Sequence, residues 1–252
     1  MINFLKNNKR ICTILFTLLL LFSMLFMNST ILFLFRKKIL IHRVNSIEKL
    51  DALKNNFIGV ELDLMYDKKD NIFDINHPPA PSIHLSLSDY LAHSNSLKNF
   101  IYWLDFKNLD SSNTKKSLNE LNKIITKLKI PPNHIIVESS FPEFLTNFKK
   151  AGYNTSYYLP PFLYSKSKDS LNYYINQIDF KTKNYPTDYI SFDYLNFPII
   201  SNEFPNLKKN SWYSDQKGIT NKIYSKFLVY NVLLDKNVDF FLLPQVVKST
   251  ER

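Results

Sequence analysis

From Ile39 to the C-terminus, short apolar runs alternate with polar stretches of helical spacing, and this rhythm constrains the fold more than any other feature of the chain. The runs that read as strands are Ile39–His42, Phe57–Leu64, Phe100–Asp105, Ile135–Glu138, Thr155–Leu159, Tyr189–Asp193, Phe227–Val232 and Phe240–Leu243. Helical patterning falls between them at Ile47–Asn55, Leu87–His93, Asn113–Lys127, Pro142–Ala151 and Ser170–Ile178. In the third of these, Leu118, Leu121, Ile124, Ile125 and Leu128 recur at helical spacing, and Pro131-Pro132 stops the helix. Strands that alternate with helices build a parallel sheet, and eight such units in about 210 residues predict an α/β chain folded as a (β/α)8, TIM-type barrel near its lower size limit.

The end of the chain breaks the rhythm. Only a few residues separate Phe227–Val232 from Phe240–Leu243, whereas a parallel crossover needs about a dozen. The last unit is therefore expected to be irregular or truncated, or a hairpin turning at Asp235-Lys236-Asn237. The long segment Leu195–Lys226, with Pro198, Pro205 and Trp212, is expected to be a loop-and-helix excursion over one rim.

Before Ile39 the texture is different. The apolar run Ile11–Phe35 is bordered by Lys6, Lys9 and Arg10 on one side and Arg36, Lys37 and Lys38 on the other. As a helix, the part up to Met27 would span about 26 Å and the whole about 37 Å, enough to cross a hydrocarbon core of about 30 Å. The run is longer than the apolar stretch of about 7–15 residues in a cleaved signal peptide and Phe26–Thr30 offers no good cleavage site, which leaves a cleaved signal and a buried core helix as the lesser alternatives. Residues 1–38 thus read as a single-pass transmembrane anchor and residues 39–252 as one barrel domain, expected on the extracytoplasmic side of a membrane. The charge rule does not fix orientation, since three basic residues stand at each end. Few residues separate anchor and first strand, so the barrel's mouth is expected to point away from the bilayer. The six flanking charges account for more than half of the net +10, which makes the basic balance a topology signal and leaves no pattern arguing for nucleic acid. One Cys excludes a disulfide framework, and three Gly exclude a phosphate-cradling or dinucleotide loop.

In a barrel, chemistry sits at the carboxyl ends of the strands. His42 and Arg43 close the first strand. Glu61 and Asp63, two apart on the second, share a face, and Trp103, Asp105 and Lys107 repeat that spacing at the end of the third. His77 follows a short apolar stretch, Ile72–Asn76. Burying Glu61, Asp63 and Asp105 together as bare charges would cost several kcal/mol each. A hard divalent cation resolves the conflict, because carboxylate oxygens are its preferred ligands. Two histidines beside it would supply a base and an acid, and Arg43 and Lys107 would bind an anion such as phosphate. From residue types, the site reads as metal-assisted phosphodiester cleavage. Glu138 and, more weakly, Asp193 also reach strand ends and are further candidates.

The pattern His42-Arg43, Glu61-x-Asp63, His77 resembles the glycerophosphodiester phosphodiesterase family. Met65–His77 is similar to the family's hairpin insertion, and Ile135–Phe148 to its fourth strand and following helix. Leu104–Lys107 resembles the related sphingomyelinase D branch, and His42–Ser46, with Leu50 and Leu53, the menorin branch. The resemblance implies a Ca²⁺- or Mg²⁺-dependent phosphodiesterase acting on a phosphodiester or lipid-derived small molecule. Glu61, Asp63 and Asp105 would hold the metal, His42 and His77 would be the acid/base pair, and Arg43 and Lys107 would bind phosphate. It departs from the family where Val44 replaces a Gly, where Pro78-Pro79 follows His77 in place of Asp, and in lacking a Pro-Glu-Asn segment. A phospholipase-D-like lyase and a non-catalytic, menorin-like binding barrel are the alternative expectations. A glycosidase with paired carboxylates leaves both histidines and Arg43 without roles.

Overall fold

The computed structural model describes residues 11, 13, 14, 28–53, 57–94, 99–214 and 222–244. Most of the expected anchor, Cys12 included, lies outside them. Among the described residues no helix is long and apolar enough to cross a membrane.

Eight parallel strands close into a barrel. They are β1 (Ile39–His42), β2 (Gly59–Asp67), β4 (Ile101–Phe106), β5 (Ile135–Ser139), β6 (Asn154–Tyr158), β7 (Tyr189–Asp193), β8 (Lys209–Trp212) and β9 (Val238–Pro244). A ninth strand, β3 (Ile72–Ile75), runs antiparallel to the end of β2 and forms the expected hairpin outgrowth. Closure is made at β1, which pairs with β9 along its length and with β2 at Ile41–Val60. The helices are α1 (Asn28–Leu34), α2 (Ile47–Ala52), α3 (Leu87–Ser94), α4 (Thr114–Leu128), α5 (Thr146–Lys150), α6 (Lys168–Asn184), α7 (Phe197–Glu203) and α8 (Lys222–Leu234).

The alternation of side chains along each strand divides two cores. Val60, Leu62 and Leu64 of β2, with Tyr102, Leu104 and Phe106 of β4, face outward into the large cluster beneath the helices. Leu40, Trp103, Ile136, Trp212 and Leu242 point to the axis and plug the barrel below its mouth. Gly59 lies against β4: a Cβ there would stand 2.3 Å from the Ile101 carbonyl oxygen, so no larger residue fits without a shift of the backbone.

The last unit is neither truncated nor a hairpin, and its irregularity is confined to a register shift at Lys209/Asn210 where β8 pairs with β9. Phe227–Val232, read as a strand, is the middle of α8, and the missing strand is β8 within the supposed excursion. With β8 at Lys209–Trp212, α8 is an ordinary crossover to β9. The apolar run was ambiguous because α8 is apolar on nearly all sides, a pattern that periodicity cannot assign. In β8, Lys209 is fully buried yet satisfied, its Nζ donating to the carbonyls of Pro205 (3.2 Å) and Leu207 (2.7 Å). Helix Pro142–Ala151 is likewise split, into a 3₁₀ turn at Pro142–Phe144 followed by α5.

At the floor of the barrel, Ile31 of α1 is buried in the core and Phe35 meets Tyr230 of α8 edge-on at 6.0 Å. Lys38 Nζ donates to the terminal carbonyls of α8 at Leu233 (3.1 Å) and Asp235 (2.9 Å). These contacts put α1 at the amino-terminal end of β1, opposite the mouth.

Candidate active site

Strand register brings the acidic residues side by side. Asp63 of β2 pairs with Asp105 of β4, and Asp105 with Glu138 of β5. Glu61, one inward position below Asp63, completes the cluster: Glu61, Asp63 and Asp105 each present a carboxylate oxygen within 4.8 Å of the others. Glu61 and Asp63 are almost wholly buried.

Lys107 follows β4 and turns back over this cluster. Its Nζ lies 2.7 Å from Asp63 Oδ1 and also binds Asp105 Oδ2. Burial works to lower its pKa, but the two carboxylates more than offset that and hold it above the ordinary value. Asp63 is pushed up by burial, yet the Lys107 charge and hydrogen bonds from Lys107 and Asn45 bring it below its usual range. Asp105 and Glu61 are raised, chiefly by burial, Glu61 also by the negative charge of its two neighbours.

The first βα turn supplies the rest. Arg43 adopts a left-handed backbone (φ 55°), uncommon for a residue with a side chain. The turn aims its N–H at Glu61 Oε2, 2.7 Å away, while Val44 N–H bonds the Glu61 carbonyl at 3.0 Å. Val44 itself keeps negative φ and packs fully buried in the core. The glycine missing after the His-Arg pair is therefore not required: the left-handed position falls on Arg43, one residue earlier.

His42 sits at the end of β1 with Nε2 3.6 Å from Glu61 Oε2. Burial, then the Arg43 charge, lowers its pKa to about 4, so the ring is neutral at physiological pH. His77 arrives by way of the β2–β3 hairpin, which Asn76 N–H fastens to the Asp63 carbonyl at 3.0 Å. His77 Nε2 stands 3.9 Å from Asp63 Oδ1 and 3.3 Å from Arg43 Nη2. Arginine only donates, so in this contact Nε2 of His77 accepts.

All seven principal candidates from the sequence, His42, Arg43, Glu61, Asp63, His77, Asp105 and Lys107, thus meet at the carboxyl end of the barrel. Glu138 lies beside them, buried, accepting a hydrogen bond from Ser191, and burial raises its pKa to about 8. Asp193 is spent locally: its Oδ1 accepts from Leu195 N–H at 2.9 Å and caps the turn after β7. Two features escaped the sequence reading. Asn45 holds Asp63, and Tyr158 stacks on Trp212 at 4.8 Å inside the mouth. The first was visible only as part of His42–Ser46, and the second required knowing that Trp212 ends a strand.

The donor set suits a hard divalent cation. Three carboxylates converge, and Glu61 Oε1 is buried with no hydrogen-bond partner among the described residues, an arrangement that costs free energy unless a cation meets it.

Fold and site together describe a closed parallel barrel whose mouth gathers three carboxylates beside Lys107 and Arg43. Several solved structures similar in fold to this chain are phosphodiesterases. A glycerophosphodiester phosphodiesterase from Parabacteroides distasonis aligns with a TM-score of 0.55 at 15% identity, covering 83% of this chain and 92% of its own. A phosphodiesterase from Oleispira antarctica, solved with its product sn-glycerol-3-phosphate, aligns at 0.53 and 13%, covering 83% and 94%. A glycerophosphodiester phosphodiesterase from Agrobacterium tumefaciens aligns at 0.50 and 13%, covering 82% and 96%. No family model and no curated protein matches the chain. The similarity in fold thus falls on the family that the sequence motifs resemble.

Proposed function

We propose that this chain is a membrane-anchored, divalent-cation-dependent phosphoric diester hydrolase that cleaves glycerophosphodiesters or phospholipid head groups by histidine acid/base catalysis. The observation that carries this reading is the convergence of three carboxylates, two cations and two histidines at one barrel mouth. The barrel shared with phosphodiesterases supports it, as does the product sn-glycerol-3-phosphate held by the Oleispira antarctica structure. The apolar run with its basic flanks supports the anchor, and with it an extracytoplasmic catalytic domain.

Glu61, Asp63 and Asp105 would hold the Ca²⁺ or Mg²⁺, which when bound supplies Lewis-acid polarisation of a phosphoryl oxygen. Arg43 and Lys107 bind the phosphate and offset the charge that gathers on its oxygens in the transition state. Neutral His42 takes the proton of the attacking hydroxyl, whether water or a neighbouring substrate hydroxyl. His77, at the more open edge, returns a proton to the departing oxygen as its bond to phosphorus breaks.

The test is the full-length chain in detergent with a panel of glycerophosphodiesters and lysophospholipids, with and without Ca²⁺ or Mg²⁺, read by phosphorus NMR. Turnover that disappears on chelation and in His42→Ala is the expected result. A monoester product fits hydrolysis, and a cyclic phosphate points to the lyase reading. Activity that survives both treatments overturns the mechanism, and no turnover with no metal bound favours a binding barrel.

A further inference from the structure

Helix α8 is built unlike a surface helix of a soluble barrel. Leu228, Val229, Val232 and Leu233 face the core and are buried, as expected. The opposite face should be polar. Instead Phe227 is 64% and Leu234 69% exposed, and the two lie seven residues apart on one side of the helix, about 10 Å along its axis. Beside the carboxyl half of α8 stands α1, joined to it through Phe35–Tyr230 and the Lys38 contacts. On α1, Phe33 is 84% and Leu34 55% exposed. Large apolar side chains on two adjoining elements are thus exposed, Phe227 and Leu234 on the outer face of α8 and Leu34 and Phe33 on α1, Phe33 also lining a hollow with Ile39 and Phe57.

We propose that the flank where α8 and α1 adjoin is seated on a lipid bilayer, with the outer face of α8 at head-group depth. Two observations select lipid as the occupant. The chain entering α1 is the apolar run Ile11–Met27, so this flank adjoins the segment suited to enter a membrane. Arg36 and Lys37, at the end of α1, and Lys236, just past α8, are exposed at the same end, the arrangement that matches an anionic head-group layer below an apolar face. Asp235, the acidic residue there, is engaged by Asn237 N–H at 2.8 Å.

The consequence concerns orientation. A barrel held only by its N-terminal end would stand on its floor with the mouth turned away from the membrane. Because α8 runs from the mouth to the floor, seating its outer face tips the barrel onto its side. The mouth then opens along the bilayer surface, within reach of a phosphodiester still carried by a lipid. The inference rests on the membrane-anchor reading above.

Spin labels test it in the full-length chain reconstituted in vesicles containing anionic phospholipid. In a Cys12→Ser background, single cysteines replace Phe227, Leu234 and, as an aqueous control on α4 across the barrel, Lys123, whose side chain is 75% exposed. The expected result is that labels at 227 and 234 collide with oxygen and not with a water-soluble nickel complex, while the label at 123 does the reverse. Labels at 227 and 234 that behave like the control overturn the proposal. So do labels shielded from both reagents, which would mean that protein, such as a second copy, covers the face. A chain that does not float with vesicles refutes the anchor reading and this proposal with it. As a second arm, Phe227→Ser/Leu234→Ser should keep turnover of soluble glycerophosphodiesters and lose about tenfold on vesicle-borne substrate. Equal effects on both substrates would count against the seat.

Discussion

Asn45 grips Asp63 from both sides: its Nδ2 donates to Asp63 Oδ2 at 2.7 Å, and its Oδ1 accepts from the Asp63 main-chain N–H at 3.0 Å. The carboxylate is thereby fixed in orientation, with Oδ1 left to face Lys107 and the centre of the acidic cluster. Partners of this kind, one step behind the ligands, typically govern metal affinity by 10–100-fold. Asn45→Ala should weaken divalent-cation binding by about that factor while leaving the fold intact. Calorimetric titration of Mg²⁺ or Ca²⁺ checks this, and an unchanged dissociation constant would show that Asp63 needs no such support.

Lys107 neutralises a cluster that is otherwise purely negative. Replacing it by Met removes the only cation in hydrogen-bond contact with Asp63 and Asp105 among the described residues. Leaving buried charge uncompensated costs about 3–5 kcal/mol. The metal-free variant should melt well below the parent and regain most of that loss on adding a divalent cation. Its turnover should fall by about 10²–10³, the usual cost of one lost phosphate-stabilising donor. Paired melting curves with and without cation decide the first point; absence of cation rescue would separate Lys107 from the acidic cluster.

Glu138 makes the metal-free protein sensitive to alkali. Its folded pKa is about 8, raised by burial from the ordinary 4.5. The native state thus holds this proton more tightly than the unfolded chain, and the stability it contributes is full below about pH 4.5 and lost as the pH climbs through 8. Glu138→Gln should flatten the decline in melting temperature between pH 6 and 9. A slope identical to the parent's would assign the sensitivity elsewhere.

The acidic limb of the pH–rate profile should report His42. Burial first, and Arg43 second, keep its pKa low. Arg43→Gln removes the second influence, so the limb should move to higher pH while turnover drops from the lost phosphate contact. His42→Ala should cost about 10²–10⁴ in turnover and abolish the limb. A limb that stays in place in Arg43→Gln would mean that another group is titrating.

Gly59→Ala tests the packing beneath the site. The added methyl would strike the Ile101 carbonyl, so β2 and β4 must separate. Overpacking of this sort costs about 1–3 kcal/mol or more. Loss of soluble, folded protein or a large fall in melting temperature is expected.

The sequence disclosed the site more fully than the scaffold. The period-two spacing of Glu61 with Asp63, and of Asp105 with Lys107, survives any error in strand ends, because shared facing depends on parity alone. Tyr189–Asp193 was legible to the residue, since its apolar run is bounded by turn-forming residues. β8 was not: Lys209, Asn210 and Ser211 are all polar yet buried, with Lys209 and Ser211 donating to main-chain carbonyls and Asn210 Oδ1 accepting from Phe240 N–H, partners that a linear reading cannot supply. α8 failed for the opposite reason, since its second apolar face removes the contrast on which helix recognition depends.

The β2–β3 hairpin has a wider meaning for the design of the barrel. By reaching from β2 back over Asp63, it delivers His77 into the same sector as His42, so the proposed chemistry is drawn from residues 42–107 and from one side of the rim. The segments that follow β6 and β7 border the mouth without holding any of the seven principal groups. They form a separate wall, so on the proposed function a change of their length or composition would alter substrate preference and leave the acidic cluster and its two histidines in place.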